Sequence, residues 1–155
     1  MLVNHVGISV TNADKSIEFY RDALGLTLFL DQMIEGPDVD DHCGVKGGKF
    51  RMVLLIDGAA NAIELWEWQN PKPKMKPPEY RQFNSVGIIE VGLMVDDLDE
   101  VEKRLAEHGY GFRDPLWVFG KGKDWFGGAY THIRYVLDPD SVQVELTQMI
   151  SEEHS

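Results

Sequence analysis

Apolar and polar residues alternate from His5 to Val10. Val6, Ile8 and Val10 form one row and His5, Gly7 and Ser9 the other, which is the period of a half-buried strand. The period then lengthens. Asn12-Ala13-Asp14 is a helix-start signal, and Ile17, Tyr20 and Leu24 follow at the i, i+3, i+7 spacing of one helical face. Gly25 can take the left-handed conformation that ends a helix. Strand patterns return at 27–34, 50–57 and 62–68. In the second half a strand is predicted at 87–95 and a helix from about 98 to 108. Asp97 is its N-cap, with Glu100 three residues on as in a capping box. Strands near 115–119, 131–137 and 142–148 follow. Each half therefore reads β-α-β-β-β, an α+β pattern in which one sheet face takes the helix and the other needs a use.

The two halves are also similar in sequence. HVGISV at His5–Val10 matches EVGLMV at Glu90–Val95 at an offset of 85 residues, and Asp14 and Asp99 keep that offset. The glycines that end the helices, Gly25 and Gly109, are 84 apart. IEL at Ile63–Leu65 and VEL at Val144–Leu146 are 81 apart. Four matches in the same order at nearly constant offset indicate an internal duplication. Module 1 spans 1–68, a linker 69–85 and module 2 86–150, all within one domain of 1–155. The linker carries Pro71, Pro73, Pro77 and Pro78 with Lys72, Lys74 and Lys76, a density that favours an extended, exposed connector. Two long segments, Gly36–Lys49 and Gly120–Gly128, read as loops of the kind that form lids or binding loops.

Composition narrows the function. A chain of 155 residues that is 43% hydrophobic and 26% charged can hold an ordinary core. Fifteen Lys and Arg against 26 Asp and Glu leave a net charge of -11, which argues against nucleic acid and anionic membranes as partners. No apolar run is long enough to span a bilayer, and Met1–His5 shows no signal-peptide pattern. The expectation is a cytoplasmic protein. Cys43 stands alone, which excludes an intrachain disulfide and a multi-cysteine zinc cluster.

Strand parity assigns the faces. His5 lies opposite the apolar row of its strand, and so do Glu90, Glu64 and Glu145 on theirs. They occupy equivalent positions in two copies of one module, and pairing of the copies about a pseudo-twofold axis would make them converge. Three converging carboxylates repel unless one is protonated or a cation is present. One imidazole and three carboxylates suit one divalent ion such as Mn, Fe, Co, Ni or Zn.

HVGISVTNADKSIEFYRDALGL, the IEL at 63–65, EVGLMVDDLDEVEKRL and YVLDPDSVQVEL together resemble the vicinal oxygen chelate superfamily. That superfamily includes glyoxalase I, methylmalonyl-CoA epimerase, extradiol dioxygenases and the fosfomycin and bleomycin resistance proteins. The resemblance covers about residues 3–148. It implies a glyoxalase-like fold, two tandem βαβββ modules forming a curved mixed sheet around a metal-containing cleft. The family's four ligand positions fall on His5, Glu64, Glu90 and Glu145. The third is usually His, and Glu90 departs from that pattern. The departure argues against a ring-cleaving dioxygenase, which needs two His and one carboxylate on Fe(II). A ligating Glu64 favours the lyase and isomerase branch.

The resemblance implies a substrate with vicinal oxygens that chelates the metal, with proton transfer α to a carbonyl through a metal-bound enediolate. Glu145 or Glu64 is the expected base, and Glu90 is either a ligand or an unligated base. Trp66 lies on the cleft parity. Trp68, Trp117, Phe119, Trp125, Phe126 and Tyr130 lie near cleft strands or their loop. They read as core or, on the sharper alternative, as walls for an aromatic or polyketide-like ligand. Trp66, Trp125, His132 and Arg134 are the substrate-binding candidates. Lys121 and Lys123 are solvated loop residues or contacts for a carboxylate or phosphate, and His42 is a weak ligand candidate. The competing functions are an extradiol-type dioxygenase with altered ligands and a metal-free binding or resistance protein. Open sheet edges lead to the expectation of a homodimer.

Overall fold

The duplication in the sequence recurs in the hydrogen bonding of two sheets. The computed structural model describes residues 1–151, and the chain divides into two compact units, Met1–Lys76 and Pro77–Ser155. In the first unit β1 (His5–Val10), β2 (Thr27–Glu35), β3 (Lys49–Ile56) and β4 (Ala62–Asn70) lie in the order β1-β4-β3-β2. In the second, β5 (Val91–Met94), β6 (Trp117–Phe119), β7 (Tyr130–Leu137) and β8 (Gln143–Ile150) lie in the order β5-β8-β7-β6. β1–β4 and β5–β8 are parallel pairs and the other ladders are antiparallel. The result is an α+β fold of two mixed four-stranded sheets.

Register is repeated residue by residue. Gly7 is opposite Glu64 across β1–β4, and Gly92 is opposite Glu145 across β5–β8. The residues that follow the two glutamates, Leu65 and Leu146, are fully buried. Burying a side chain of that size is worth roughly 1.5–3 kcal/mol. A one-residue slip would exchange each leucine with its glutamate. Burial of the leucine row is therefore what holds each glutamate on the other face.

The helices cover the leucine faces. In the first unit α1 (Ala13–Ile17) is capped by Asn12, whose Oδ1 accepts the Lys15 N–H at 3.0 Å. It continues as a π-helical stretch, Glu18–Ala23, where the sequence pattern predicts one α-helix. The wider turn is visible in the bond from Leu24 N–H to Phe19 O at 3.0 Å. Ile17, Phe19, Tyr20 and Ala23 are buried from this segment, with Ile8, Val10, Val53, Leu55, Ile63 and Leu65 buried from the strands. Arg51 ties helix to sheet: it pairs with Asp14 at 2.7 Å and makes a two-pronged contact to Asp31 at 2.8 Å.

In the second unit α3 (Leu98–Glu107) is capped by Asp97, whose Oδ1 accepts the N–H groups of Asp99 and Glu100 at 2.8 and 3.2 Å. It buries Leu98, Val101 and Leu105, and Val91, Val136, Val144 and Leu146 are buried in the sheet. Gln148 joins the helix start to β8, accepting from Leu98 N–H and donating to Asp96 O.

Three segments differ from expectation. The strand predicted at 87–95 is paired only over Val91–Met94, because its partner β8 begins at Gln143. Upstream of the ladder the Gln143 side chain donates to Ile89 O at 2.8 Å instead. The predicted loop after Gly36 contains α2 (Pro37–Cys43), with proline in its first turn and Gly44 at φ 66 closing it. Strand pairing runs on to Asn70, and a 3₁₀ turn occupies Pro78–Arg81. Among the described residues no helix is long and apolar enough to cross a membrane.

Candidate functional site

Each unit assembles one pair of the expected ligands. In the first, Glu64 lies in the middle of β4 with Gly7 beside it. A Cβ at Gly7 would stand 3.7 Å from Glu64 Oε2, so glycine keeps this part of the face open. His5 Nε2 is 3.6 Å from the same oxygen. Its Nδ1 is 2.9 Å from Asn4 Oδ1. With Nδ1–H donating to that oxygen, the Nε2 lone pair points toward the carboxylate. Two electron-rich groups so arranged suit a shared proton or cation.

The pair in the second unit is more tightly built. Glu145 Oε2 accepts the Tyr135 hydroxyl at 2.6 Å, and Oε1 accepts the Thr147 hydroxyl at 2.8 Å. Glu90 stands just before β5 and lies against both Glu145 and Tyr135. Its Oε2 is buried without a hydrogen-bond partner. Burial raises the Glu90 pKa, the Glu145 charge adds to that, and the Tyr135 hydroxyl partly opposes it. Burial also raises the Tyr135 pKa, followed by its bond to Glu145, so the phenol keeps its proton and donates.

The Tyr135 ring is itself held. Phe83 meets it edge-on at 5.3 Å, and the Arg113 guanidinium lies 5.7 Å from its centre. The Arg113 N–H donates to Tyr135 O at 2.7 Å, and its side chain donates to Gln143 Oε1. Tyr135 and Thr147 are absent from the sequence-predicted site. Thr147 shares the parity of Glu145 on one strand. Tyr135 is revealed only by the β7–β8 register, which sets it directly opposite Glu145.

The same register places two of the substrate-binding candidates. His132 is opposite Gln148 and Arg134 opposite Leu146, so both occupy the helix-bearing face and not the face of Glu145. Arg134 lies 4.2 Å from the centre of the Phe112 ring and 3.6 Å from Glu102 of α3. The His132 ring is 5.6 Å from that of Tyr130. A substrate reaching Glu145 from its own face does not meet them.

Aromatic residues do share the glutamate faces. Trp66 follows Glu64 by two positions and stacks on Phe50 at 4.1 Å, with Trp68 4.8 Å from Phe50. The Trp66 Nε1 is buried and unpartnered. In the second unit Trp117 and Phe119 pair with Ile133 and Thr131, on the parity of Tyr135. Trp125 is exposed in the following loop, 5.3 Å from Phe119.

Within each unit the donor types are those that hard or borderline divalent ions take: an imidazole beside a carboxylate in the first, and two carboxylates in the second, one oxygen of Glu90 being buried with nothing to bond. Among the described residues, no three or more His, Cys, Asp or Glu side chains gather as a ligand set.

Residues 2–146 match the Glyoxalase/Bleomycin resistance protein/Dioxygenase superfamily, and the chain belongs to it. No curated protein sequence matches the chain significantly. Among solved structures, a glyoxalase family protein from Bacillus cereus aligns with a TM-score of 0.79 at 20% identity, covering 96% of this chain and 93% of that one. The trypanothione-dependent glyoxalase I of Leishmania major aligns with a TM-score of 0.61 at 19% identity, covering 96% and 86%. A glyoxalase I variant from Zea mays gives 0.64 at 18%, covering 97% of this chain and 46% of that one. At these identities the likeness is one of fold.

Proposed function

We propose that this protein is a metal-dependent lyase or isomerase that moves a proton α to a carbonyl in a small substrate with two vicinal oxygens. The candidate ligands are His5 and Glu64 of module 1–68 and Glu90 and Glu145 of module 86–150. The observation that carries this reading is the repeated glutamate opposite a glycine, Glu64 at Gly7 and Glu145 at Gly92, on the sheet face the helices leave free. A divalent metal bound there supplies Lewis acidity to a carbonyl oxygen. Glu64 or Glu145 takes the proton from the carbon next to it and returns it. Trp66 with Phe50 in one unit, and Trp117 with Phe119 in the other, offer flat apolar walls for the rest of the substrate. Glu90, in the position where an imidazole is usual, raises the negative charge of the ligand set and favours proton transfer over oxygen chemistry.

The test is reconstitution with Mn, Fe, Co, Ni or Zn followed by metal analysis. Turnover is then measured, aerobically and anaerobically, as exchange of α-hydrogen for deuterium in a panel of 2-hydroxy ketones and α-branched thioesters. Stoichiometric metal and oxygen-independent exchange are expected, both lost in Glu64→Gln with Glu145→Gln. Failure to retain metal, or turnover that requires oxygen, overturns the proposal.

A further inference from the structure

Register exposes an asymmetry between the two equivalent glutamates. Opposite Glu145 on the neighbouring antiparallel strand stands Tyr135; opposite Glu64 stands Leu54. Two positions further along the same strand stand Thr147 and Trp66 respectively. Glu145 is thus flanked by two hydroxyl donors, where Glu64 is flanked by Leu54 and by Trp66, whose Nε1–H bonds to nothing. Both donors are used, one on each carboxylate oxygen, at 2.6 and 2.8 Å. Each oxygen keeps a second lone pair. The carboxylate is therefore held in one rotation while still able to bind a cation.

The larger donor is itself held by its neighbours. Its backbone carbonyl is bonded to the Arg113 N–H, and its ring is covered by Phe83 and Arg113. Among the described residues, Glu64 has His5 Nε2 at 3.6 Å and no hydrogen-bond donor. One carboxylate is held by two hydroxyls and the other by none.

We infer that Tyr135 and Thr147 are positioning residues that clamp Glu145 as a fixed metal ligand, acting through that carboxylate and not by touching the metal or the substrate. The inference rests on the metal reading given above. Groups that orient a ligand in this way commonly change metal affinity by 10- to 100-fold.

The experiment is titration of the metal-free full chain with Co2+, read by its visible absorption, for the wild type, Tyr135→Phe, Thr147→Val and Glu145→Gln. Each is repeated with Tyr135→Phe or Thr147→Val added to Glu145→Gln. The expected result is about a 10-fold loss of Co2+ affinity and a shifted absorption band for each hydroxyl variant, with circular dichroism unchanged. In the Glu145→Gln background the same changes should have no further effect, because the group they act through is gone. A loss that persists in that background overturns the inference. So does full Co2+ affinity in both hydroxyl variants while Glu145→Gln loses it, which leaves the metal reading intact. Unchanged Co2+ affinity in Glu145→Gln overturns the metal reading and the clamp together. Thr147→Val carries the test should Tyr135→Phe disturb packing against Phe83.

Discussion

Gly7 stands opposite Glu64 across the β1–β4 ladder: a Cβ placed there meets Glu64 Oε2 at 3.7 Å, an ordinary contact. Gly7→Ala should fold normally, within about 0.5 kcal/mol of the wild type. Gly7→Leu should fill the space in front of Glu64 and weaken Co2+ binding by about 10-fold or more. Urea denaturation alongside a Co2+ titration checks both. Equal affinity in the two variants would mean that the open space at Gly7 does not matter to Glu64.

Asn4 is expected to act on His5. Its Oδ1, 2.9 Å from Nδ1, selects the tautomer that presents Nε2 as a lone pair. Asn4→Ala should lower Co2+ affinity by about 10-fold without altering thermal stability, and Asn4→Asp should retain tight binding. Loss in both variants would point away from tautomer control.

Glu90 makes stability depend on pH with a definite sign. Its pKa is raised above the ordinary 4.5 by burial and by Glu145. Between 4.5 and the higher folded value, the folded state holds more proton than the unfolded state, so stability falls as pH rises through that window. The cost is complete above the folded value and absent in acid. Metal-free Glu90→Gln should melt at a higher temperature than the wild type at pH 7, and the gap should close below about pH 4. Melting curves in EDTA at several pH values decide it. A gap independent of pH would assign the effect to packing instead of charge.

Arg51 has the opposite dependence. Its hydrogen bonds to Asp31 hold that carboxyl below its ordinary 3.8. The bridge therefore contributes fully above the unfolded value of 3.8 and is lost as pH falls through the lower folded value. Arg51→Met should cost about 1–2 kcal/mol at pH 7, since a two-pronged pair and a third bond to Asp14 are removed at a half-buried position. The cost should shrink toward pH 2. Urea unfolding at pH 7 and in acid measures both, while Co2+ affinity should be unchanged because Arg51 lies on the helix-bearing face.

The architecture was legible in the order of residues. Alternation located β1 and β4, the polar starts at Asn12 and Asp97 located the helices, and the recurrence of HVG as EVG and IEL as VEL disclosed the duplication. Parity separated Glu64 from Leu65 and Glu145 from Leu146, because burial of the leucines leaves the glutamates no other face. These are properties of one strand at a time, set by local period and hydrophobicity. Parity on a single strand does not reveal which residue stands across from it. For that reason Tyr135 is not legible in the sequence, and neither is the placement of the candidates His132 and Arg134 on the helix-bearing face. Their positions depend on how β7 registers with β8, a long-range pairing set by the turn between Leu137 and Gln143 and by burial of Val136 against Val144. The sequence by itself determined two copies of one module and the ligand candidates each copy presents. Only the tertiary structure decided that one of two equivalent glutamates is flanked by hydroxyls and the other by Leu54 and Trp66, because a hydrogen bond needs both its partners brought together in space.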